Sequence, residues 1–389
     1  MSDKTLKRSP RARVGRRRSR KRHNLAATHA VVFVPVVGPL PLPIMQLPFD
    51  LSQWREALDE LIAAPKEMFA SDELDIRRPT VFRFTETQSD EFRTLNRIGY
   101  VVGLKALWDV VIVVFSARVK LKTATTEGRF SKREAQAFHD QIGCEAFARV
   151  VRRWLVAALL AKVGLLQFSD ILVTRSGREL WCRYDDFRGL SMEHLDVVAK
   201  MNWPPIRCMS MQVVWQWMQK IPAFNNDFGV SKVGRALAAF THLLRRRDPT
   251  AVGENLLWAL LGLEALYTKG TSELGSQLAA KSQLLLGEQH DFKKAITRMY
   301  DYRSRLTHGD LPVPMHYCEY ESLAEYESFL TEVEHQNYVA ASVLASSLQA
   351  LIERDATELN FEWNIVPRLA RSGLSAAADN AAGQASEAG

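Results

Sequence analysis

Residues 253–267, Gly-Glu-Asn-Leu-Leu-Trp-Ala-Leu-Leu-Gly-Leu-Glu-Ala-Leu-Tyr, constrain the fold more than any other stretch of the chain. The run contains no proline, and its apolar residues fall on nearly every side of a helical wheel. A helix that is apolar almost all round belongs inside a protein, with other elements packed about it. This segment therefore reads as a central helix. Glu264 stands in it among Leu260, Leu261, Leu263 and Leu266. A carboxylate in such surroundings is costly unless it is paired.

The stretch from Glu288 to Leu306 supplies a partner. Phe292, Ile296, Met299 and Leu306 share one face: with Phe292 at zero, they fall at ~40°, ~340° and ~320° in turn. Arg303 falls at ~20°, inside that apolar stripe, where a guanidinium needs a counter-charge or an anion. Glu264 is the partner to name. The pair would set the direction of the guanidinium and leave its other donors for a phosphate. The competing reading is that Glu264 faces solvent or merely ties two helices together. His308 would sit at ~160° if the helix continued. Gly309 follows, and glycine is the usual residue just past a helix end. A helix that stops near Leu306 leaves His308 on an irregular turn, able to swing back toward Arg303. A guanidinium that holds a phosphate, beside an imidazole that moves a proton, is a phosphate-transfer arrangement. The plainer alternative is that an Arg and a His in a last helical turn complement the helix dipole.

Arg303-Ser304 followed by three residues and His308 matches the Arg-x4–6-His motif of HEPN domains, with a small polar residue after the arginine. The surroundings match as well. Arg245-Arg246-Arg247-Asp248-Pro249 leads into Asn255–Leu266 with its Glu264, and Tyr300 opens the motif that closes on Gly309. Over residues 230–355, about a third of the chain, the sequence resembles the Apea-like branch of the HEPN family. The resemblance implies a helical bundle that dimerises and, in active members, a metal-independent endoribonuclease with Arg303 and His308 catalytic and no cofactor. Many such proteins act in antiphage defence or as toxins. Glu264 is characteristic of the branch.

The fold class expected for the whole chain is α+β but mainly helical, with an N-terminal α+β domain ahead of a HEPN-like bundle. A length of 389 residues suits two folded domains. The expected divisions are a disordered basic tail at 1–25, an α+β domain at 26–225, the bundle at 226–355 and a C-terminal tail at 356–389. Residues 1–23 hold eleven Lys and Arg against Asp3 alone, and residues 251–355 carry a net −7. The overall +7 thus describes the tail rather than the bundle. Such a tail attracts nucleic acid non-specifically. The segment after Arg16-Arg17-Arg18 is too rich in proline for a secretion signal.

Ala30–Val37 reads as a strand, at an edge because of Pro35. Ser52 caps a helix to about Ala64, and Val81–Thr85 is a strand. Trp108–Phe115 is an apolar run too short to span a membrane. Helices are expected at Ser131–His139, Glu145–Val163, Met192–Met201 and Ser210–Lys220, the last with Trp215 and Trp217 as packing residues. Ile171–Arg175 and Arg178–Tyr184 form a hairpin about Ser176-Gly177. In the bundle, helices are expected at Ser231–Arg245, Gly253–Tyr267, Ser272–Leu286, Glu288–Leu306 and Glu332–Glu353, with Trp363 docking onto the body. The N-terminal region shows no phosphate loop, metal spacing or nucleophile elbow, and His139-Asp140 and Asp185-Asp186 read as surface pairs. Cys144, Cys182, Cys208 and Cys318 form no CxxC, which favours a reduced cytoplasmic protein with structural thiols and no metal site.

The expected function is cleavage of RNA by attack of the ribose 2′-hydroxyl on the adjacent phosphate. Arg303 would neutralise the growing charge, His308 would transfer the proton, and Ser304 and Tyr302 would either orient the phosphate or pack. One set supplies one proton-transfer group, so two sets facing each other across a homodimer would supply acid and base. Two other readings stay open: a catalytically inactive dimerisation or protein-interaction bundle, favoured by the −7 charge, and a nucleic-acid-binding regulator that uses the basic tail.

Overall fold

The structure, a computed structural model, describes residues 26–37, 51–63, 74–77, 79–83, 110–121, 131–168, 171–175, 179–184, 189–190, 192–245, 252–270, 272–290, 292–311 and 324–362. The basic tail, the Ser176-Gly177 turn, Asp185-Asp186, Asp248-Pro249, Cys318 and Trp363 lie outside the described residues. The protein is mainly helical, with an antiparallel sheet on its N-terminal side.

The sheet is built on β1 (Ala26–Val37) and β4 (Val110–Leu121), which pair antiparallel from Ala26↔Leu121 to Val37↔Val110. Ala30, Val32, Val34 and Val36 are buried on one face of β1, and Phe33 is buried on the other. Strands buried on both faces are apolar without alternation. That is why the apolar run read at 108–115 is unbroken from Val110 to Phe115, where it forms the first half of β4. The other edge of β4 carries β2 (Leu74–Ile76) and β3 (Thr80–Arg83). The far edge of β1 takes β5 (Gln167–Phe168) and β6 (Ile171–Arg175), and β7 (Glu179–Tyr184) pairs with β6. β1 is thus interior, contrary to the edge position expected from Pro35. β6 pairs with Ala30–Phe33 and β5 with Val36 and Val37, so Pro35 sits in the gap between them, where its missing N–H breaks no rung on that side.

α1 spans Leu51–Ala63, and α2 spans Lys132–Ala161. α2 is one 30-residue helix where two were expected. Its start is fixed by a capping box, with Ser131 Oγ accepting the Glu134 N–H and Glu134 accepting the Ser131 N–H. Gly143 marks a close approach rather than a break, since a Cβ there would lie 3.0 Å from the Cβ of Thr28 in β1. Asp140, expected on the surface, is buried at this joint. It accepts from Thr28 Oγ1 at 2.8 Å and Gln136 Nε2 at 2.9 Å, and lies 2.6 Å from Arg175 Nη2 in β6.

α3 (Met192–Met201), α4 (Met211–Gln219) and α5 (Pro222–Asn226) lead to α6 (Lys232–Leu243), α7 (Val252–Tyr267), α8 (Leu274–Leu286), α9 (Phe292–His308) and α10 (Ala324–Glu353). α10 begins ahead of the position expected from the pattern. α7 is the hub, touching α6, α8, α9 and α10, with Leu256, Ala259, Leu260, Leu263, Leu266 and Tyr267 wholly buried. The apolar wheel overstated its enclosure: Leu261 is 49% exposed on the remaining side. The buried cluster is continuous from the sheet through α2 and α4 into these helices. Gln349 of α10 joins the two parts. It donates to Leu160 O at 2.9 Å and Arg207 O at 2.8 Å, and accepts the Arg207 N–H at 3.0 Å. Trp217 is buried, and its indole donates to Ala356 O. Trp203 packs against Phe292, the first residue of α9, with ring centroids 4.0 Å apart and planes inclined at 51°. Among the described residues, no helix is long and apolar enough to cross a membrane.

Candidate functional site

The site is built where α7 and α9 cross. Phe292, Ile296 and Met299 of α9 are buried, as the four- and three-residue spacing requires. Arg303 follows on the same side. Its side chain is 34% exposed and that of Glu264 in α7 is 15% exposed, with Nη2 3.7 Å from Glu264 Oε1. Tyr300 completes the group: its hydroxyl donates to the same Glu264 oxygen at 3.0 Å, and the guanidinium carbon lies 5.9 Å from its ring centroid. The carboxylate thus meets a neutral donor and a cation on one oxygen. The guanidinium is steered by the ion pair and by the ring beneath it, and keeps N–H donors for another acceptor. Burial, followed by the charge of Glu264 and the hydrogen bond to it, drives the Tyr300 phenol well above its ordinary range, while Arg303 pulls the other way. Tyr300 therefore stays a donor through the neutral range.

In the expectations drawn from sequence Tyr300 only opens the motif and is given no contact, although it stands three residues before Arg303 and so neighbours it on the helix. A tyrosine tolerates both core and surface, so nothing in its position announced a buried acceptor. Glu264 and Arg303 were visible because each is a charge on an apolar face.

His308 is placed differently from expectation. α9 does not stop near Leu306 but runs through His308. Gly309 then takes φ +79°, and the Asp310 N–H returns to Arg305 O at 2.8 Å, closing the helix end. The left-handed residue is where glycine was expected to end the helix, but His308 is still held by the last turn. Five residues at helical pitch set it ~140° round from Arg303. It is exposed on another side of α9, so one chain does not bring these two side chains together. Tyr302 is buried, 2% exposed, with the Arg305 guanidinium 5.8 Å from its ring centroid; its place is in the packing. Ser304 is exposed, and its carbonyl accepts from Thr307 Oγ1 at 3.0 Å.

Beside the Glu264 group, α8 and α9 enclose an open groove of about 830 Å³. α8 contributes a wall of small residues, Gly275, Ser276, Ala279 and Ala280, with Gln283 at one end. α9 contributes Lys293, Thr297, Tyr300, Asp301 and Arg303. Among the described residues, no group of three or more His, Cys, Asp or Glu side chains is placed to hold a metal ion.

Compared with family models, curated proteins and solved structures, the chain gives no match. Function therefore rests on this geometry. A fixed, half-exposed guanidinium at a groove can bind an anion, and an exposed imidazole at the end of the same helix can exchange a proton.

Proposed function

We propose that the protein is a metal-independent endoribonuclease of HEPN type that works as a homodimer. The observation that carries the proposal is the Glu264–Tyr300–Arg303 group, which holds a guanidinium at the mouth of a groove with donors to spare. Arg303 binds the scissile phosphate and offsets the charge that builds on its oxygens. The ribose 2′-hydroxyl attacks the adjacent phosphorus, its proton passes to one imidazole, and the 5′ oxygen leaves with a proton from another. The products are a 2′,3′-cyclic phosphate and a 5′-hydroxyl. One chain supplies one such imidazole, so the second comes from a second copy whose α9 faces the first. The proposed dimer is isologous, with the two Arg303–His308 sets brought together about its two-fold axis. A role in antiphage defence or as a toxin, which the resemblance implies, would require the enzyme to be restrained until triggered.

The experiment is incubation of purified protein with RNA in EDTA. The expected result is cutting that leaves 2′,3′-cyclic phosphate ends and that is lost in folded Arg303→Ala and His308→Ala variants. A strict requirement for a divalent metal would reject the mechanism. One observation favours a second reading. Arg303 is already paired and His308 lies on another side of the same helix, which is also what an inactive interaction bundle would show. That reading predicts dimers with no cutting in either variant or wild type, and loss of a phenotype only when the bundle surface is altered. A third protein class, a regulator that acts through the basic tail, predicts that deletion of residues 1–23 abolishes function; the nuclease reading predicts only weaker RNA affinity.

A further inference from the structure

We propose that the groove between α8 and α9 is a cytosine-preferring seat for the RNA strand and that the exposed stripe of α9 leads the strand to His308; this rests on the nuclease reading and adds where the strand lies and which base it prefers. Lys293, Thr297, Asp301, Ser304 and His308 follow one another at steps of four, four, three and four residues. At helical pitch these positions make one line along α9, and all five are exposed. The line is about 22 Å long, more than a single nucleotide can touch. Its first three members lie in the groove, and Ser304 and His308 carry it past the groove's end.

The chemistry of the lining selects the ligand. Lys293 and Arg303 stand about 15 Å apart at two ends of the α9 wall, as separated cations suited to two non-adjacent backbone phosphates. Glu273 and Asp301 repel phosphate but accept hydrogen bonds from exocyclic amino groups of bases. The small residues of the facing α8 wall let a strand lie close to the backbone. A duplex fits poorly, because its cytosine amino groups are paired and lie in a deep, narrow major groove that side chains do not reach. The two carboxylates make cytosine, with its amino group, a better occupant than uracil. With two cations against two acids, affinity here depends on base contacts more than on released counterions.

The test uses the full chain with fluorescein-labelled 2′-fluoro oligocytidylate and oligouridylate, which bind but lack the attacking hydroxyl, at a salt concentration that screens the basic tail. Fluorescence anisotropy should show tighter binding of oligocytidylate, weak competition by CMP and weak competition by duplex RNA. Ser276→Trp and Thr297→Trp fill the groove without a change of charge and should each weaken oligocytidylate binding by about tenfold or more. Lys293→Glu, at an exposed position, should weaken it too and supplies the reading if either tryptophan variant fails to fold. His308→Gln should remove the cutting of ordinary RNA and weaken oligocytidylate binding less than the groove variants do. Unchanged affinity in the folded groove variants, equal binding of duplex RNA, or CMP competing as well as the oligomer would each overturn the proposal. Groove-dependent binding without any cutting of ordinary RNA would instead sink the nuclease reading and leave the groove a single-strand site.

Discussion

Replacing Glu264 by alanine separates the roles of Tyr300 and Arg303. The substitution leaves a hydroxyl that burial has desolvated without its acceptor, and a half-buried guanidinium without its counter-charge. A hydrogen bond to a charged partner contributes about 1.5–3 kcal/mol. The ion pair adds little, because 3.7 Å is long and Arg303 is a third exposed; screening limits such a pair to about 0–1 kcal/mol. Glu264→Ala should therefore destabilise the fold by about 2–3 kcal/mol, and most of that should travel with the phenol. Urea unfolding followed by circular dichroism measures it, in a cycle with Tyr300→Phe. The coupling between the two positions should be about 1–2 kcal/mol, since each substitution removes the same bond. Additivity within about 0.5 kcal/mol, or a loss below that for Glu264→Ala alone, would show that the carboxylate is not organising the site and would refute the reasoning.

Other consequences concern the frame around the site. Gly262→Ala would place a Cβ 2.6 Å from Leu344 Cδ2 and 3.1 Å from Ala239 Cβ, inside a buried three-helix contact; overpacking of this kind costs about 1–3 kcal/mol and should lower Tm accordingly. Gln349→Leu strips partners from the Leu160 carbonyl and from the N–H and carbonyl of Arg207, a loss of about 2–4 kcal/mol measurable by denaturant midpoint. Stability should also fall at alkaline pH. The phenols of Tyr267 and Tyr300 are both raised, chiefly by burial, with the Ser347 hydrogen bond opposing in the first and Arg303 in the second. Above about pH 10 the unfolded chain releases protons that the folded chain keeps, so the unfolded state binds fewer and stability declines as pH rises. Tyr267→Phe with Tyr300→Phe should flatten that decline, as followed by denaturant unfolding across the range.

The parts of this architecture that could be read from residues alone are those set by strong misfits or strong periods. Glu264 and Arg303 each put a charge on an apolar face, and two such charges on neighbouring helices satisfy each other. Gly309 ends α9 because only a residue without Cβ takes φ +79° easily. The misses have local causes. Two helices were expected where α2 is one, and Gly143, in the gap between them, is the point where the single helix rests on Thr28. Pro35 looked like an edge because proline lacks a donor, but β5 and β6 leave a gap for it. His308 looked released because the preference for glycine past a helix end does not say how many residues of the last turn remain wound. Leu261 shows the limit of composition: a helix apolar on all sides in sequence still leaves one side open.

The central claim is that two copies complete one phosphodiester site, and subunit mixing tests it most directly. Wild-type protein at fixed amount is allowed to exchange with increasing Arg303→Ala/His308→Ala double variant, and RNA cutting in EDTA is followed. A site shared between copies loses activity as mixed dimers form, falling to on the order of half at equal amounts. Cutting that stays constant as the inert copy is added, or that appears only with a divalent metal, would contradict the account.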